Sequence, residues 1–410
     1  MKYFMLIADG MADWVAPALQ GKTPVEAART PNLDRIARFG KLGTVRTIPP
    51  GLRPDSEVAA LSLLGYDPKV HAAGRAPLEA AGLGVPLGPE DLAFVCSLVT
   101  VDENILADYA AGHIGSTEGA LLIEFLQMHL SSKHVRFVPG AAFRHFMIYN
   151  GHEPIPIPTV PPHDLIGKDF PSALPHGEGS QILRRLILGS RDLLSKHEVN
   201  AVRTDLGENP ANMIWLWGQG RRVTLEPFKK RFGKSGVMIT ASPLYRGVAQ
   251  CIGWDVIPVH GTAGQIDSDY TAKTKAAVEA LEKYNLVVVH VAATDIASHD
   301  GDVLRKVVAI ENIDEKILGP MLHALEKNPK HRILVAASHF APVSTRSHAS
   351  DPPPFAVYGT GVRAIREAPF TEASARASDL HIEEGCSLME YFLHEEQILR
   401  KRELPRHPPV

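Results

Sequence analysis

Cysteine is scarce: Cys96, Cys251 and Cys386 are the three in 410 residues, far apart and never in a CxxC spacing. That scarcity argues against a disulfide framework and against a thiolate zinc site, and it suits a reducing cytoplasm. Long apolar runs are also missing. Nothing approaches the roughly 20 residues a membrane-spanning helix needs. The opening run over residues 3–8 is cut by Asp9 and is too short for a signal peptide. Neither sign of charge is in excess, with 43 basic and 46 acidic residues and a net charge of −3. The total therefore calls for neither nucleic acid nor membrane as partner, while leaving room for a local basic pocket for a small anion. No G-x-G-x-x-G follows the first strand, which disfavours a dinucleotide-binding site. No G-x-S-x-G elbow occurs either, which disfavours an α/β-hydrolase. Internal repeats and low-complexity blocks are absent.

What is present is ordinary core material. Hydrophobic residues make up 45% of the chain, and its length suggests two or three domains at about 150 residues each. The run over 3–8 reads as a buried parallel strand, as do 286–291 and 333–337, all rich in Val, Ile, Leu and Ala. Thr23-Pro24 and Thr30-Pro31 carry start signals for helices, and 57–64, 243–252, 271–284 and 303–326 have helical composition. Further strands are expected over 213–217, 236–241, 255–259 and 355–358. Between about 90 and 200 the pattern changes, with strands over 92–101, 135–138 and 143–149, a helix over 119–130 and a loop over 151–175. The expectation is an α/β fold with a doubly wound, mostly parallel sheet in a core of residues 1–89 and 201–400. A smaller α+β domain is inserted over 90–200, and a charged tail follows over 401–410.

Functional residues in open α/β sheets gather at the carboxyl ends of strands. Asp9 follows the first strand, Asp295 and His299 follow 286–291, and His339 follows 333–337, with His348 nine positions on. Carboxylates and imidazoles without thiolates suit divalent ions such as zinc and manganese. Asp295 and His299, four apart, share one face if helical. Ser56 stands at the start of the 57–64 helix, where the helix dipole favours an anion or an ionised oxygen. A serine there, beside a metal, can accept a phosphoryl group; as a bare N-cap it would do no chemistry.

The chain resembles the archaeal-type cofactor-independent phosphoglycerate mutases, including their homoserine-kinase-type bacterial branch, within the alkaline phosphatase superfamily. The likeness runs nearly end to end. It lies in Ala8-Asp9-Gly10-Met11-Ala12-Asp13, Thr30-Pro31-Asn32-Leu33-Asp34, Gly74-Arg75-Ala76-Pro77-Leu78-Glu79-Ala80, Ala111-Gly112-His113-Ile114, Pro161-Pro162-His163-Asp164 and Trp215-Leu216-Trp217-Gly218-Gln219-Gly220. It implies an alkaline-phosphatase-like fold, with the inserted domain acting as a lid. It implies interconversion of 3-phosphoglycerate and 2-phosphoglycerate through a phosphoserine at Ser56, with one or two divalent ions (Mn2+, Zn2+ or Mg2+) per chain. One ion would be held by Asp295, His299 and His348. The other would be held by Asp9, Ser56 and an Asp-His pair at 338 and 339. Arg75, His113, Arg144, His163 and Lys273 are the candidates for binding the small phosphorylated substrate.

The chain departs from that pattern at position 338 and in the loop Asp55-Ser56-Glu57, where the resemblance implies Gly-Ser-Asp. Position 338 is Ser338, where the resemblance implies a carboxylate, and neutral hydroxyls hold hard cations far more weakly. Asp55 and Glu57 flank Ser56 and could restore the missing charge. Three readings follow: mutase-type transfer with a substitute carboxylate, altered phosphotransfer or phosphate hydrolysis with one ion, or a binding protein without catalysis.

Overall fold

The amino-terminal apolar run becomes the strand Lys2–Ala8, and Phe4 to Ala8 are wholly buried, as a strand covered on both faces must be. It lies near the middle of an eight-stranded sheet. In order across the sheet, the strands are His381–Ile382, Lys41–Val45, Pro354–Gly359, His331–Ala337, Lys2–Ala8, Leu286–Val291, Gly236–Ile239 and Asp255–Ile257. Pairing is parallel except where Pro354–Gly359 meets its two neighbours. The chain is described here from a computed structural model covering residues 1–151, 155, 158–259, 269–364 and 367–393. The expected tail, 401–410, lies outside the described residues, as does part of the loop read over 151–175.

Register decides where chemistry can collect. Ala8 pairs with Val291 on one side and with Ala337 on the other, so three strands end level. The residues just beyond them, Asp9, the Ala293–Asp300 helix and Ser338-His339, therefore share one rim. The helices Pro31–Phe39, Tyr270–Lys283 and Val303–Ile313 supply apolar faces to the core that buries this sheet.

The chain divides into two compact units. The first is Met1–Ala72 with the chain from Leu225 onward, and the second is Ala73–Thr224. The second contains the 90–200 segment expected as an insertion and extends beyond it at both ends. The reason is strand pairing: Met213–Arg221 runs antiparallel along Leu92–Asp102, and the helix Arg75–Gly82 contributes Ala76 to the same core. Its sheet also contains Ile105–Asp108, Val135–Ala141 and Arg144–Tyr149, all antiparallel. Two helices not foreseen, Ser180–Leu194 and Glu198–Asp205, complete this α+β unit. Among the described residues, no helix is long and apolar enough to cross a membrane.

Candidate metal centre

Asp295 and His299 lie one turn apart on the helix Ala293–Asp300, and His348 comes from the loop after His331–Ala337. Their ligand atoms all lie within 4.8 Å of one another. His299 Nε2 is 3.1 Å from His348 Nε2, and the Asp295 oxygens are 3.4 and 3.2 Å from these nitrogens. The tautomers follow from the other ring nitrogens. His299 Nδ1 contacts the Arg346 carbonyl at 2.9 Å, and His348 Nδ1 contacts the Pro54 carbonyl at 3.1 Å. A carbonyl can only accept, so both Nδ1 atoms carry hydrogen, and each neutral ring presents an Nε2 lone pair. Two imidazole lone pairs and a carboxylate converge, and Asp295 Oδ1 has no hydrogen-bond partner. Convergent acceptors with backbone-anchored imidazoles are the donor set a divalent cation needs. The residues present therefore fit the metal that the sequence implies.

The approach is tight. Gly10 has φ +60°, and a Cβ placed there would come 2.5 Å from Asp295 Oδ1, so glycine is required beside the carboxylate. Thr294 donates its hydroxyl to the Asp9 carbonyl, tying the two strand ends together.

The other half centres on Asp9. Asp9 Oδ1 lies 3.4 Å from His339 Nε2, and that nitrogen is 3.4 Å from Ser56 Oγ. His339 Nδ1 donates to the Phe340 carbonyl at 3.2 Å, which again turns an Nε2 lone pair inward. Ser56 is the first residue of the helix Ser56–Leu63, with Asp55 at the cap. The rings of His339 and His348 are 4.0 Å apart between centroids, which joins the two halves. All six residues foreseen as ligands are thus brought together. At position 338 the Ser338 hydroxyl accepts the Gly10 N–H at 3.0 Å and donates to Asp9 Oδ1 at 2.5 Å.

His290 was not foreseen. It sits in the Val-rich strand Leu286–Val291, and its Nε2 is 3.2 Å from Asp9 Oδ2 without hydrogen-bond alignment. Thr240 Oγ1 meets its Nδ1 at 2.9 Å, and Tyr245 stacks on its ring at 3.7 Å. The available signal was a single imidazole in an otherwise aliphatic strand, one residue from its carboxyl end.

Burial opposes ionisation of Asp9, but the imidazoles of His290 and His339 beside it outweigh that cost and hold the carboxyl below its usual range. Burial likewise opposes charge on Asp295, and His299 and His348 overcome it, leaving that carboxyl well below normal. Burial pushes the His348 imidazole down to about 4 and lowers His290 as well. Burial also acts against charge on His339, yet Asp9 beside it wins and raises this imidazole.

The remaining candidates lie elsewhere. Lys273 is buried and donates to the His290 carbonyl at 3.4 Å, so it supports the strand beneath the centre. Asp55 pairs with Arg53 at 3.2 Å, and Glu57 is buried in the first turn of the Ser56–Leu63 helix. Arg75, His113, Arg144 and His163 form one connected cluster in the second unit. Glu79 accepts from Arg75 at 2.6 Å and from Arg144 at 3.2 Å. Arg75 lies over Trp217, whose ring meets His163, while Arg144 and His113 both approach Phe143.

Comparison with known proteins identifies the family and the fold. A family model described as 2,3-bisphosphoglycerate-independent phosphoglycerate mutase matches residues 37–200. A protein of that name from Methanothrix thermoacetophila is 43% identical over 394 residues, covering 96% of this chain and all of the relative. A solved structure from Pyrococcus horikoshii superposes with TM-score 0.76 at 27% identity, over 96% of each chain. The cofactor-independent phosphoglycerate mutase of Thermoplasma acidophilum gives 0.58 at 26% identity, covering 96% of this chain and 99% of that one. Fold and site together define an α/β enzyme whose centre lies on the carboxyl rim of a mostly parallel sheet. The chain belongs to the 2,3-bisphosphoglycerate-independent phosphoglycerate mutase family.

Proposed function

We propose that this chain interconverts 3-phosphoglycerate and 2-phosphoglycerate through a phosphoserine at Ser56. The observation that carries the reading is the convergence of Ser56 with two Asp-His sets whose imidazole lone pairs face inward. Divalent cations held by Asp295, His299 and His348, and by Asp9, Ser56 and His339, would supply positive charge that lowers the serine pKa and neutralises phosphate oxygens. Zinc or manganese suits such mixed imidazole and carboxylate ligands better than magnesium does.

Ser56 Oγ gives up its proton and forms the new bond to phosphorus while the ester bond to the C3 oxygen breaks, the released proton balancing the one the leaving oxygen takes. The leaving oxygen keeps the bonding pair and takes a proton, so glycerate stays bound with both hydroxyls free. After reorientation, the C2 hydroxyl loses its proton and attacks the phosphoserine, the Oγ–phosphorus bond breaks with its pair left on Oγ, and Ser56 takes a proton back. Backbone N–H groups at the start of the Ser56–Leu63 helix favour the anionic phosphoryl group throughout. The second unit would act as the lid, its Arg75, Arg144, His113 and His163 cluster supplying carboxylate and phosphate contacts.

Incubation with 3-phosphoglycerate and manganese should yield 2-phosphoglycerate and a trapped phosphoryl group on Ser56 by peptide mass spectrometry. Ser56→Ala should abolish both, with turnover down roughly 10³-fold or more. Ser338 favours one alternative, phosphate hydrolysis. Release of inorganic phosphate without 2-phosphoglycerate would establish that alternative and end the mutase reading.

A further inference from the structure

The two halves of the centre are not equivalent. On the Asp295 side, two imidazole lone pairs and a carboxylate meet with no hydrogen-bond donor among them. On the Asp9 side, the carboxylate already accepts the Ser338 hydroxyl at 2.5 Å, and one imidazole and two hydroxyls complete the set. The Ser338 hydroxyl is committed twice, because the Gly10 N–H points into its oxygen. A cation arriving there must compete with a formed hydrogen bond and gains a neutral hydroxyl where a carboxylate would bind far more strongly.

Charge makes the same distinction. Asp9 and Asp295 are the carboxylates that contact the four imidazoles, and together they carry two negative charges. One dication balances them. A second would leave two positive charges uncompensated among side chains that are almost wholly buried, with Ser338 and His339 at 0% exposure. Uncompensated charge in such surroundings is costly. A phosphate monoester dianion carries the two charges that restore neutrality. Asp55 already pairs with Arg53 at 3.2 Å.

We propose that Asp295, His299 and His348 hold one divalent cation on their own, whereas Asp9, Ser56 and His339 take a second only together with a phosphate-bearing ligand. The proposal rests on the functional reading above and adds an order of assembly: the ligand's own charge completes the site that activates Ser56. Binding is then reciprocal, so manganese tightens phosphate by the same factor that phosphate tightens manganese.

Equilibrium dialysis of the full chain against Mn2+, with metal analysis and electron paramagnetic resonance, tests this. We expect one Mn2+ per chain without phosphate. With inorganic phosphate or 3-phosphoglycerate at saturation, we expect two ions and the spectrum of a coupled pair. The affinity for the second ion should rise at least about tenfold, a coupling of about 1.4 kcal/mol. Ser338→Asp should take two ions without phosphate, and Asp9→Asn should lose the second ion while keeping the first. Two ions bound equally tightly by the unmodified chain without phosphate would overturn the proposal. So would a stoichiometry that stays at one under saturating phosphate. No ion under any condition would defeat the functional reading as well, which separates the two failures.

Discussion

Lys306 Nζ lies 2.7 Å from Asp13 Oδ2, and the lysine side chain has no exposed surface. The same ammonium donates to the Ala341 carbonyl at 2.9 Å, and Asp13 Oδ2 also accepts the Val343 N–H at 3.2 Å. Asp13 closes the loop that begins at Asp9, and Ala341 and Val343 follow Ser338-His339. A single buried ion pair therefore holds together the two loops that carry the Asp9 half of the centre. Glu372 continues the network, accepting the Asp13 N–H at 3.1 Å and the Thr23 hydroxyl at 2.7 Å.

Removing one partner of such a pair leaves the other charge buried and alone. Lys306→Met should cost about 3–5 kcal/mol in urea unfolding, and burial already lowers the lysine pKa against the pull of Asp13. The double variant with Asp13→Asn should lose less than the sum of the singles, with a coupling of roughly 1–3 kcal/mol. Singles that each cost under about 1 kcal/mol would show that the pair does not clamp the loops.

Much of this centre was legible because each chemical residue follows an aliphatic run. The runs at 3–8, 286–291 and 333–337 read as buried parallel strands, and the rim they define holds Asp9, Asp295 and His339. The departure at Ser338 was visible only against the family resemblance, which implies a carboxylate there. His290 escaped because it lies inside such a run, where alternation cannot show which side chain turns toward the rim. The extent of the second unit escaped because it depends on Met213–Arg221 pairing with a strand over a hundred residues earlier, which no local pattern encodes. The helical stretch over 303–326 was read as continuous. It does run on without a gap, but widens to a π-helical turn over Asp314–Leu318, where Asp314 accepts the Leu33 N–H at 2.7 Å and the Asn32 N–H at 3.2 Å. That carboxylate serves a helix nearly three hundred residues away, a demand invisible in its own neighbourhood.

In the second unit, Arg75 and Arg144 share Glu79 but differ in exposure, with side chains 8% and 25% accessible. The more open guanidinium is the better placed to meet a ligand. Arg144→Ala should raise the KM for 3-phosphoglycerate about 10- to 100-fold, the loss expected for a charge-assisted hydrogen bond. Its thermal stability should change little. Arg75→Ala should instead lower the melting temperature, because it strips the Nε contact from a buried Glu79. Steady-state kinetics and melting curves on both variants check the division, and the opposite pattern would reverse the assignment.

His145 gives the second unit a pH dependence of its own. The Gly140 N–H donates to its Nδ1 at 3.0 Å, so Nε2 carries the hydrogen, and that atom is buried without a partner. Burial pushes the imidazole down to about 3. The unfolded chain binds a proton near pH 6.5 and the folded unit does not. Stability is therefore fully present above that pH and drains away as pH falls toward 3, by up to a few kcal/mol. His145→Gln keeps an acceptor without the titration. Its melting temperature should vary less between pH 6.5 and 3.5 than that of the unmodified chain, whatever its value at pH 7. Parallel curves for the two proteins would remove His145 as the cause.

Ligand binding to the folded state alone must stabilise it, by about 2.7 kcal/mol when free metal exceeds its dissociation constant a hundredfold. The unmodified chain should therefore melt several degrees higher in manganese than in a chelator. His299→Ala and His348→Ala should lose that increment, since each removes an Nε2 lone pair facing Asp295. Protons compete with the metal for those lone pairs, so the increment should shrink as pH falls. Burial already disfavours a proton on His348, lowering its pKa to about 4, so the decline should be gradual below neutrality. Asp9→Asn should keep most of the increment measured without phosphate, because the resident ion does not depend on that carboxylate. An increment that vanishes in Asp9→Asn and survives in His348→Ala would place the resident ion in the other half, on the Ser56 side.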